Sequence, residues 1–252
     1  MILKAEKLNK FYKSGDSSIH VLKDIDLEVN KGDFLIISGR SGAGKSTLLY
    51  QLGLLDIPNS GEIYLLDQET KSLNHRERTR FRLENLGYVF QYYALIPELT
   101  ALENIAIPVL MMGKNKKEAY ERSEKILAEF GLEERVNNLP SQLSGGEQQR
   151  VAIARAIVNN AQIIFADEPT ANLDSHNAEM IMDAFKKLSK QGQTIVMVSH
   201  EEQYYDFGNR MIHLDDGKII KDTNGKIKDS HNGRRNRKFY CSSRIEEIPR
   251  RS

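Results

Sequence analysis

Short apolar runs alternate with longer stretches of helical spacing along most of the chain. Three runs, Phe34–Ser38, Ile163–Ala166 and Thr194–Ser199, are almost continuously apolar, which is typical of strands buried on both faces. Helical stretches at 145–160 and 175–190 precede the second and third of these runs. Because strands that alternate with helices usually pair in parallel, the pattern predicts an α/β core.

Other segments lie outside this core pattern. Strand character is found at Ile2–Leu8, Ile25–Val29, Glu62–Leu66 and Gly87–Phe90, and helical character at Ser46–Leu55 and 74–86. Residues 100–136 are mostly helical and stand between the first two buried strands, which predicts an inserted helical subdomain over about 92–160. Beyond Lys221 the periodicity ends. We therefore predict a domain over 1–221 and a basic, flexible tail over 222–252.

Composition and charge exclude several classes of protein. Hydrophobic residues make up 40% and charged residues 28% of the chain, as in an ordinary globular domain. Residues 222–252 carry nine Lys or Arg against four Asp or Glu, so the remainder is mildly acidic and lacks the charge of a nucleic-acid-binding protein. The single cysteine, Cys241, fits a reducing compartment. No run reaches the ~20 apolar residues of a membrane helix, so any action at a membrane requires another chain that spans it.

A glycine-rich loop follows the first buried strand. Gly39–Ser46 reads GRSGAGKS, which matches the phosphate-binding pattern GxxxxGK[ST] between a strand and a helix. Backbone amides of such a loop point at a phosphate chain, and the helix N-terminus adds its dipole. The predicted nucleotide-binding residues are Gly39, Arg40, Ser41, Gly42, Ala43, Gly44, Lys45, Ser46 and Thr47. Lys45 would contact the β- and γ-phosphates and Ser46 would ligate Mg²⁺.

Acidic and amide side chains follow the other predicted core strands. The run IIFADE ends in Asp167, predicted to hold Mg²⁺ through water, and Glu168, predicted to polarise the water that attacks the γ-phosphate. His200 ends a neighbouring strand, where it could contact that phosphate, although a single histidine at a strand end is more often structural. Gln91 precedes a proline-containing loop and could complete the Mg²⁺ shell or hold water.

The stretch LSGGEQQR, residues 143–150, raises a separate question. Ser144 and Glu147 have the spacing of a capping box, which by itself explains both residues. It does not explain Gly145 and Gly146, since each glycine in a first turn costs about 1 kcal/mol relative to alanine. Two interpretations stay open here: a capped helix, or an anion site that serves a second phosphate or the nucleotide of another copy.

Together these motifs resemble the ATP-binding subunits of ABC transporters over residues 1 to about 221. GRSGAGKST resembles the Walker A motif, IIFADE the Walker B motif and LSGGEQQR the ABC signature. Gln91 matches the Q-loop glutamine, Ala171–Asp174 the D-loop and His200 the switch histidine. Tyr12 matches the aromatic residue that stacks on adenine, with Phe11 as the alternative. The resemblance implies a P-loop NTPase fold with a RecA-like core, an antiparallel β subdomain and a helical subdomain.

The resemblance also implies a mechanism. Two copies of the chain would close head-to-tail on two ATPs, each ATP lying between the Walker motifs of one copy and Ser144, Gly145 and Gly146 of the other. ATP hydrolysis with Mg²⁺ would drive a separate transmembrane permease, docked near Gln91–Thr100, with the chain peripheral at the cytoplasmic face of the membrane. No nucleic-acid partner is implied.

The subgroup is indicated by one longer stretch. GYVFQYYALIPELTALENIAIPVLM is similar to the group that contains LolD, MacB and FtsE, which implies export of lipoproteins, drugs or antimicrobial peptides. The alternatives are mechanotransmission in cell division, as in FtsE, and a soluble ABC ATPase that transports nothing. A single set of motifs argues against the ribosome-acting members, which carry two ATPase domains in one chain.

Overall fold

The computed structural model describes residues 1–15 and 17–223. Its strands are β1 (Leu3–Ser14), β2 (Ser17–Val29), β3 (Phe34–Gly39), β4 (Ser60–Leu65), β5 (Gln68–Glu69), β6 (Leu86–Val89), β7 (Ile163–Asp167), β8 (Thr194–Val198), β9 (Arg210–Asp215) and β10 (Lys218–Asp222). Its helices are α1 (Lys45–Leu52), α2 (His75–Asn85), α3 (Ala101–Met111), α4 (Lys116–Glu129), α5 (Gly145–Ile157) and α6 (Ser175–Lys190), with short 3₁₀ turns at Glu133–Arg135, Pro140–Gln142 and Glu202–Phe207. The predicted tail lies outside the described residues except for Asp222 and Thr223.

A six-stranded sheet in the order β10-β9-β3-β8-β7-β6 forms the core. The strands from β9 to β6 pair in parallel, and β10 pairs antiparallel with β9. Every residue of β3, β7 and β8 is buried, which confirms the three apolar runs as internal strands. The sequence pattern did not predict β9 and β10, because both are short and alternate with polar residues, as strands toward a sheet edge do.

A second, antiparallel sheet has the order β2-β1-β4-β5. The first two strands of this sheet are longer than the apolar pattern indicated, because their solvent-exposed halves pair with each other: Phe11 lies opposite His20, and Tyr12 opposite Ile19. Backbone hydrogen bonds between the strands satisfy these segments even where their side chains are exposed. The first two strands therefore continue as a ribbon beyond the packed part of the sheet.

Helix α1 lies in the apolar layer shared by the two sheets. Leu48, Leu49 and Leu52 are buried in one cluster with residues of β1, β2 and β4 on one side and of β3, β7 and β8 on the other. The other face of the core sheet is covered by α5 and α6. Helix α1 ends at Leu52, before Gly53, and is three residues shorter at its C-terminus than the sequence pattern indicated. This packing holds the start of α1 at the edge of the core sheet.

Helices α3, α4 and α5 share a third apolar core. It includes Ile105, Val109, Leu127, Val151 and Val158. The predicted helical stretch at 100–136 is interrupted at Gly113 and Gly131, which have φ of +81° and +66°. Helix α5 also packs against the core sheet through Ile153 and Ala156. The helical subdomain over 92–160 thus stays a prediction, since its last helix belongs to both cores.

An ion-pair cluster fastens the last two strands to the domain. The guanidinium group of Arg210 donates to both carboxylate oxygens of Asp222, at 3.0 and 2.6 Å, and to the carbonyl of Glu28. Asp33 lies 3.8 Å from it. The cluster therefore links β9 and β10 to the end of β2 and the start of β3.

We expect Arg210→Met to lower the free energy of unfolding by about 3 kcal/mol, since it removes the guanidinium group from two carboxylates that are only 15% and 16% exposed. Urea unfolding measures the change. Lys4→Met, which removes an exposed ion pair with Glu6, serves as the control and is expected to change stability little. A loss at Arg210 no larger than that at Lys4 would contradict the assigned role.

Candidate functional site

The loop between β3 and α1 requires glycine at two positions. Gly39 has a φ of +145°, and a Cβ atom there would lie 2.2 Å from the carbonyl oxygen of Leu214 on the neighbouring strand β9. Gly44 precedes α1 with a left-handed φ of +98°. The Nζ of Lys45 donates to the carbonyls of Gly39 at 3.0 Å and Arg40 at 3.1 Å. The loop thus encloses its own lysine at the N-terminus of a helix, which is the geometry of a phosphate-binding loop.

Asp167 at the end of β7 lies directly beside this loop. The hydroxyl of Ser46 donates to its Oδ1 at 2.9 Å, and the hydroxyl of Tyr50 donates to its Oδ2 at 2.7 Å. The carboxylate is 6% exposed. Burial and the hydrogen bond to Asp167 raise the pKa of Tyr50. Tyr50 was not predicted, because one tyrosine on a helix carries no signal until the fold brings it to the carboxylate.

The donor set around Ser46 fits Mg²⁺. A hydroxyl and a carboxylate are hard oxygen ligands, and Mg²⁺ commonly takes one or two carboxylates together with substrate phosphates. Among residues 1–15 and 17–223, no group of three or more His, Cys, Asp or Glu could hold a metal by itself. Ser46 and Asp167 would thus supply two oxygen ligands to a Mg²⁺ ion.

Glu168 and His200 meet at the same edge of the sheet. The two strands are paired so that Asp167 lies opposite Val198, and the Glu168 amide donates to the Val198 carbonyl at 3.1 Å. The Nδ1 atom of His200 lies 3.2 Å from Glu168 Oε1. Glu168 adopts a left-handed φ of +43°, an unfavourable conformation for a residue with a side chain that is typical of functional sites. The fold therefore places Glu168 and His200 side by side.

Gln91 follows β6, the edge strand next to β7. Its carbonyl accepts a hydrogen bond at 2.9 Å from Asn172, which lies in the segment Ala171–Asp174. The next turn of the loop includes Tyr93 and Ala94, both with left-handed φ, and their carbonyls accept from Arg155 of α5 at 2.9 and 2.6 Å. The loop after Gln91 is thus held by two other elements. The role of the Gln91 side chain toward Mg²⁺ or water stays a prediction.

The signature stretch forms a complete helix cap. Ser144 accepts from the Glu147 amide at 3.3 Å, and Glu147 accepts from the Ser144 amide at 2.8 Å. Arg135 holds the other Glu147 oxygen at 2.9 Å. No hydrogen bond or ion pair within the described part of the chain joins Ser144, Gly145 or Gly146 to the phosphate-binding loop.

The structure gives the two signature glycines different surroundings. A Cβ atom at Gly146 would lie 2.1 Å from Oδ1 of Asn177, and one at Gly145 would lie 2.8 Å from the Tyr93 hydroxyl. Close packing within the chain thus accounts for glycine at position 146. At position 145 the neighbouring atom is the end of a tyrosine side chain, so packing alone gives a weaker reason for glycine there.

Tyr12 and Phe11 differ in their surroundings. The Tyr12 hydroxyl donates to Asp56 at 3.0 Å, and the Thr47 side chain also interacts with it. Burial, and then the Asp56 hydrogen bond, raise the pKa of Tyr12. The ring of Phe11 is stacked on His20 at a centroid distance of 3.9 Å. Of the two aromatic residues, Tyr12 is therefore the one connected to the phosphate-binding loop.

Known proteins of similar sequence identify the family of this chain. The family model described as "ABC transporter" matches residues 22–171, which is more than half of the chain. The chain belongs to the ABC transporter family. This ABC ATPase is 50% identical to the lipoprotein-releasing system ATP-binding protein LolD of Aquifex aeolicus over 87% of its own length and 96% of the relative. It is 43% identical to the macrolide exporter MacB of Mannheimia succiniciproducens, of which it spans only 34%.

Solved structures agree with the assignment. The dimeric ATP-binding cassette MJ0796 in a post-hydrolysis state with ADP and Pi superimposes with a TM-score of 0.82 at 42% identity, covering 88% of this chain and 97% of that one. A structure of cbiO1 from Clostridium perfringens gives a TM-score of 0.77 at 28% identity, with coverages of 88% and 87%. The predicted ABC ATPase fold is thereby confirmed. No helix among the described residues of this ABC ATPase is long and apolar enough to cross a membrane.

The Glu147 cap predicts a pH dependence of stability. The pKa of the Glu147 carboxyl group is lowered from 4.5 to about 2, first by the hydrogen bond from Arg135 and then by that from the Ser144 amide. A carboxyl group with a depressed pKa in the folded state stabilises the fold above its unfolded value of 4.5, and this stabilisation is lost as the pH falls toward 2. We expect the Tm of Glu147→Gln to lie below that of the wild type at neutral pH and to approach the wild-type Tm in acid.

Thermal unfolding across a pH series measures this effect. Glu121→Gln is the matched control, because Glu121 forms an exposed pair with Lys117 at 3.9 Å. A Tm difference between wild type and Glu147→Gln that is constant from neutral to acidic pH would exclude the cap carboxylate as its source.

Proposed function

We propose that this ABC ATPase is the ATP-hydrolysing subunit of an exporter whose membrane-spanning permease is a separate chain, of the kind served by LolD. The observation that carries the proposal is the convergence of Lys45, Ser46, Asp167, Glu168 and His200 on one edge of the parallel sheet. The similarity to LolD over nearly its whole length supports the type of partner.

In this proposal the loop residues bind ATP and Mg²⁺. The amides of Gly39–Thr47 and the Lys45 ammonium group bind the phosphates, and Tyr12 stacks on the adenine base. Ser46 and Asp167, with Gln91, would hold a Mg²⁺ ion, which would supply positive charge to neutralise the phosphate oxygens. The Tyr50 hydroxyl occupies one oxygen of Asp167 and so fixes the orientation of the carboxylate.

Glu168 is the group that acts on water. Its Oε1 is held by His200, which leaves Oε2 to accept a proton from a water molecule in line with the γ-phosphate. His200 is half exposed and positions the Glu168 carboxylate through this contact. Orientation of the water and stabilisation of charge account for most catalysis in phosphoryl transfer, and these residues supply both.

The site is completed by a second copy of the chain. Ser144, Gly145 and Gly146 lie at the N-terminus of α5, a helix end that attracts anions, and have no polar contact with the loop of their own copy. A head-to-tail dimer brings them to the γ-phosphate of the partner. The dimeric state of MJ0796, a close structural neighbour, supports this arrangement.

The permease docks in a groove between α2 and α3. Two adjoining cavities of about 350 and 600 Å³ share Thr79, Leu83 and Met111. The first is lined by Phe90, which directly precedes the predicted docking segment Gln91–Thr100, and by Ala94, which belongs to it; Arg76 and Arg80 line the second. Arg80 is paired with Glu84 of the same cavity at 2.7 Å, so the apolar floor and the Arg76 guanidinium group fit a permease helix that has an apolar face and an acidic residue. Docking there holds the protein at the cytoplasmic face of the membrane.

Glu168→Gln tests the catalytic assignment. We expect ATP binding to persist, turnover to fall at least ~100-fold because the water loses its base, and an ATP-dependent dimer to accumulate. Phosphate release and size-exclusion chromatography measure these effects. Ser144→Arg in the Glu168→Gln background is the matched variant, and it should bind ATP as a monomer. A Glu168→Gln protein that stays monomeric at saturating ATP would contradict the shared site.

Met111→Asp tests the docking groove, since Met111 lines both cavities of the groove and is 62% exposed. In membranes of the source organism, we expect the wild type to co-sediment with one integral membrane protein and the variant to lose it while keeping its basal ATPase activity. Ile220→Asp, at a 50% exposed position on β10, is the control. Equal retention by both variants would place the permease elsewhere, and the identity of the captured protein separates an exporter from a cell-division complex.

A further inference from the structure

A buried cation and a carboxylate meet beside Tyr12. Lys10 and Tyr12 both belong to β1, whereas Asp56 and Ile57 lie in the connection from α1 to β4. The Nζ of Lys10 lies 2.7 Å from Asp56 Oδ2 and donates to the Ile57 carbonyl at 2.7 Å. The Lys10 side chain is almost fully buried. A lysine is rarely buried unless it is paired, so the burial of Lys10 depends on its contact with Asp56.

The Asp56 carboxylate accepts hydrogen bonds from three neighbouring groups. Its Oδ1 accepts from the Ile57 amide at 2.7 Å, and its Oδ2 accepts from both Lys10 and the Tyr12 hydroxyl. Hydrogen bonds from Lys10 and the Ile57 amide lower the pKa of Asp56 against the opposing effect of burial. The carboxylate thus stays charged and holds the phenol at one fixed point.

The cluster also orients the Tyr12 ring. Lys10 Nζ lies over one face, 5.0 Å from the ring centroid, in a cation–π contact. Tyr12 is nevertheless 41% exposed, so part of the residue stays open to a ligand. Fixed at its hydroxyl and covered on one face, the ring can stack with a planar group only on the other.

The connection that carries Asp56 is itself tied to both parts of the site. It follows α1, the helix that starts at the phosphate-binding loop. Two further bonds join it to β1: the Phe11 amide donates to Asn59 Oδ1 at 2.8 Å, and the Asn59 amide donates to the Asn9 carbonyl at 3.0 Å. The distance from the Tyr12 ring to the loop is therefore set by a short, doubly fastened segment.

We propose that Lys10 and Asp56 are positioning residues that hold Tyr12 as a preorganised stacking surface for the adenine base. The proposal rests on the assignment of Tyr12 to the base in the proposed function and extends it to two residues that do not themselves touch the nucleotide. Without Lys10 and Asp56, the Tyr12 side chain has to be immobilised each time a nucleotide binds, which corresponds to a loss of nucleotide affinity of about three- to tenfold.

Binding of ADP and of inorganic pyrophosphate to the full chain, each with Mg²⁺ and measured by calorimetry, separates base contacts from phosphate contacts. We expect Asp56→Ala and Lys10→Met to weaken ADP about three- to tenfold and to leave pyrophosphate unchanged. Asp56→Asn, which keeps an acceptor for the phenol, should recover part of the loss. Glu6→Gln, on the same strand in an exposed pair with Lys4, is the matched control and should bind both ligands as the wild type does.

A double-mutant cycle with Tyr12→Ala decides the assignment. If Asp56 acts through Tyr12, Asp56→Ala adds no further loss of ADP affinity once Tyr12 is alanine. The proposed role of Lys10 and Asp56 is overturned if Asp56→Ala weakens the binding of ADP and of pyrophosphate equally, or if it still weakens ADP binding in the Tyr12→Ala background. It is also overturned if Asp56→Ala leaves ADP binding unchanged while Tyr12→Ala weakens it. If Tyr12→Ala itself leaves ADP affinity unchanged, the base assignment in the proposed function fails first.

Discussion

The parallel pairing of β3, β8 and β7 is the constraint on which the rest of the structure depends. Parallel strands bring their carboxyl ends to one edge, so Gly39, Asp167 and His200 meet although long stretches of chain separate them. The strands are buried on both faces, and apolar packing holds their register. A shift by one residue would turn Asp167 away from Ser46 and separate Glu168 from His200.

Helix α1 transmits this arrangement to the antiparallel sheet. It begins at the phosphate-binding loop, packs between the two sheets, and leads into the segment that carries Asp56. The proposed base-binding tyrosine stands on a ribbon that extends beyond the packed part of its sheet, where hydrogen bonds rather than apolar burial fix its position. This eight-residue helix and the segment after it therefore set together the distance between the two ends of the proposed nucleotide site.

Helix α5 connects the site to the regions where partners are proposed to bind. One face packs in the helical core and the other on the sheet, while Arg155 holds the loop after Gln91. Its N-terminus is capped by Ser144, Glu147 and Arg135 and is packed against Tyr93 and Asn177. Tyr93 connects the loop after Gln91 to both parts of this helix, since its carbonyl accepts from Arg155 and its hydroxyl lies beside Gly145.

The sequence by itself determined the α/β class, the buried strands, the phosphate-binding loop and the acidic strand end, because periodicity and local spacing carry these features. It left the reason for Gly145 and Gly146 open, and it did not predict β9 and β10, the Tyr50–Asp167 bond or the contact of Lys10 with Asp56. Each of these depends on residues distant in sequence: Gly146 packs against Asn177, and Lys10 pairs with a residue beyond the next helix. Such contacts exist only once chain closure has brought the segments together, so tertiary structure alone decided them.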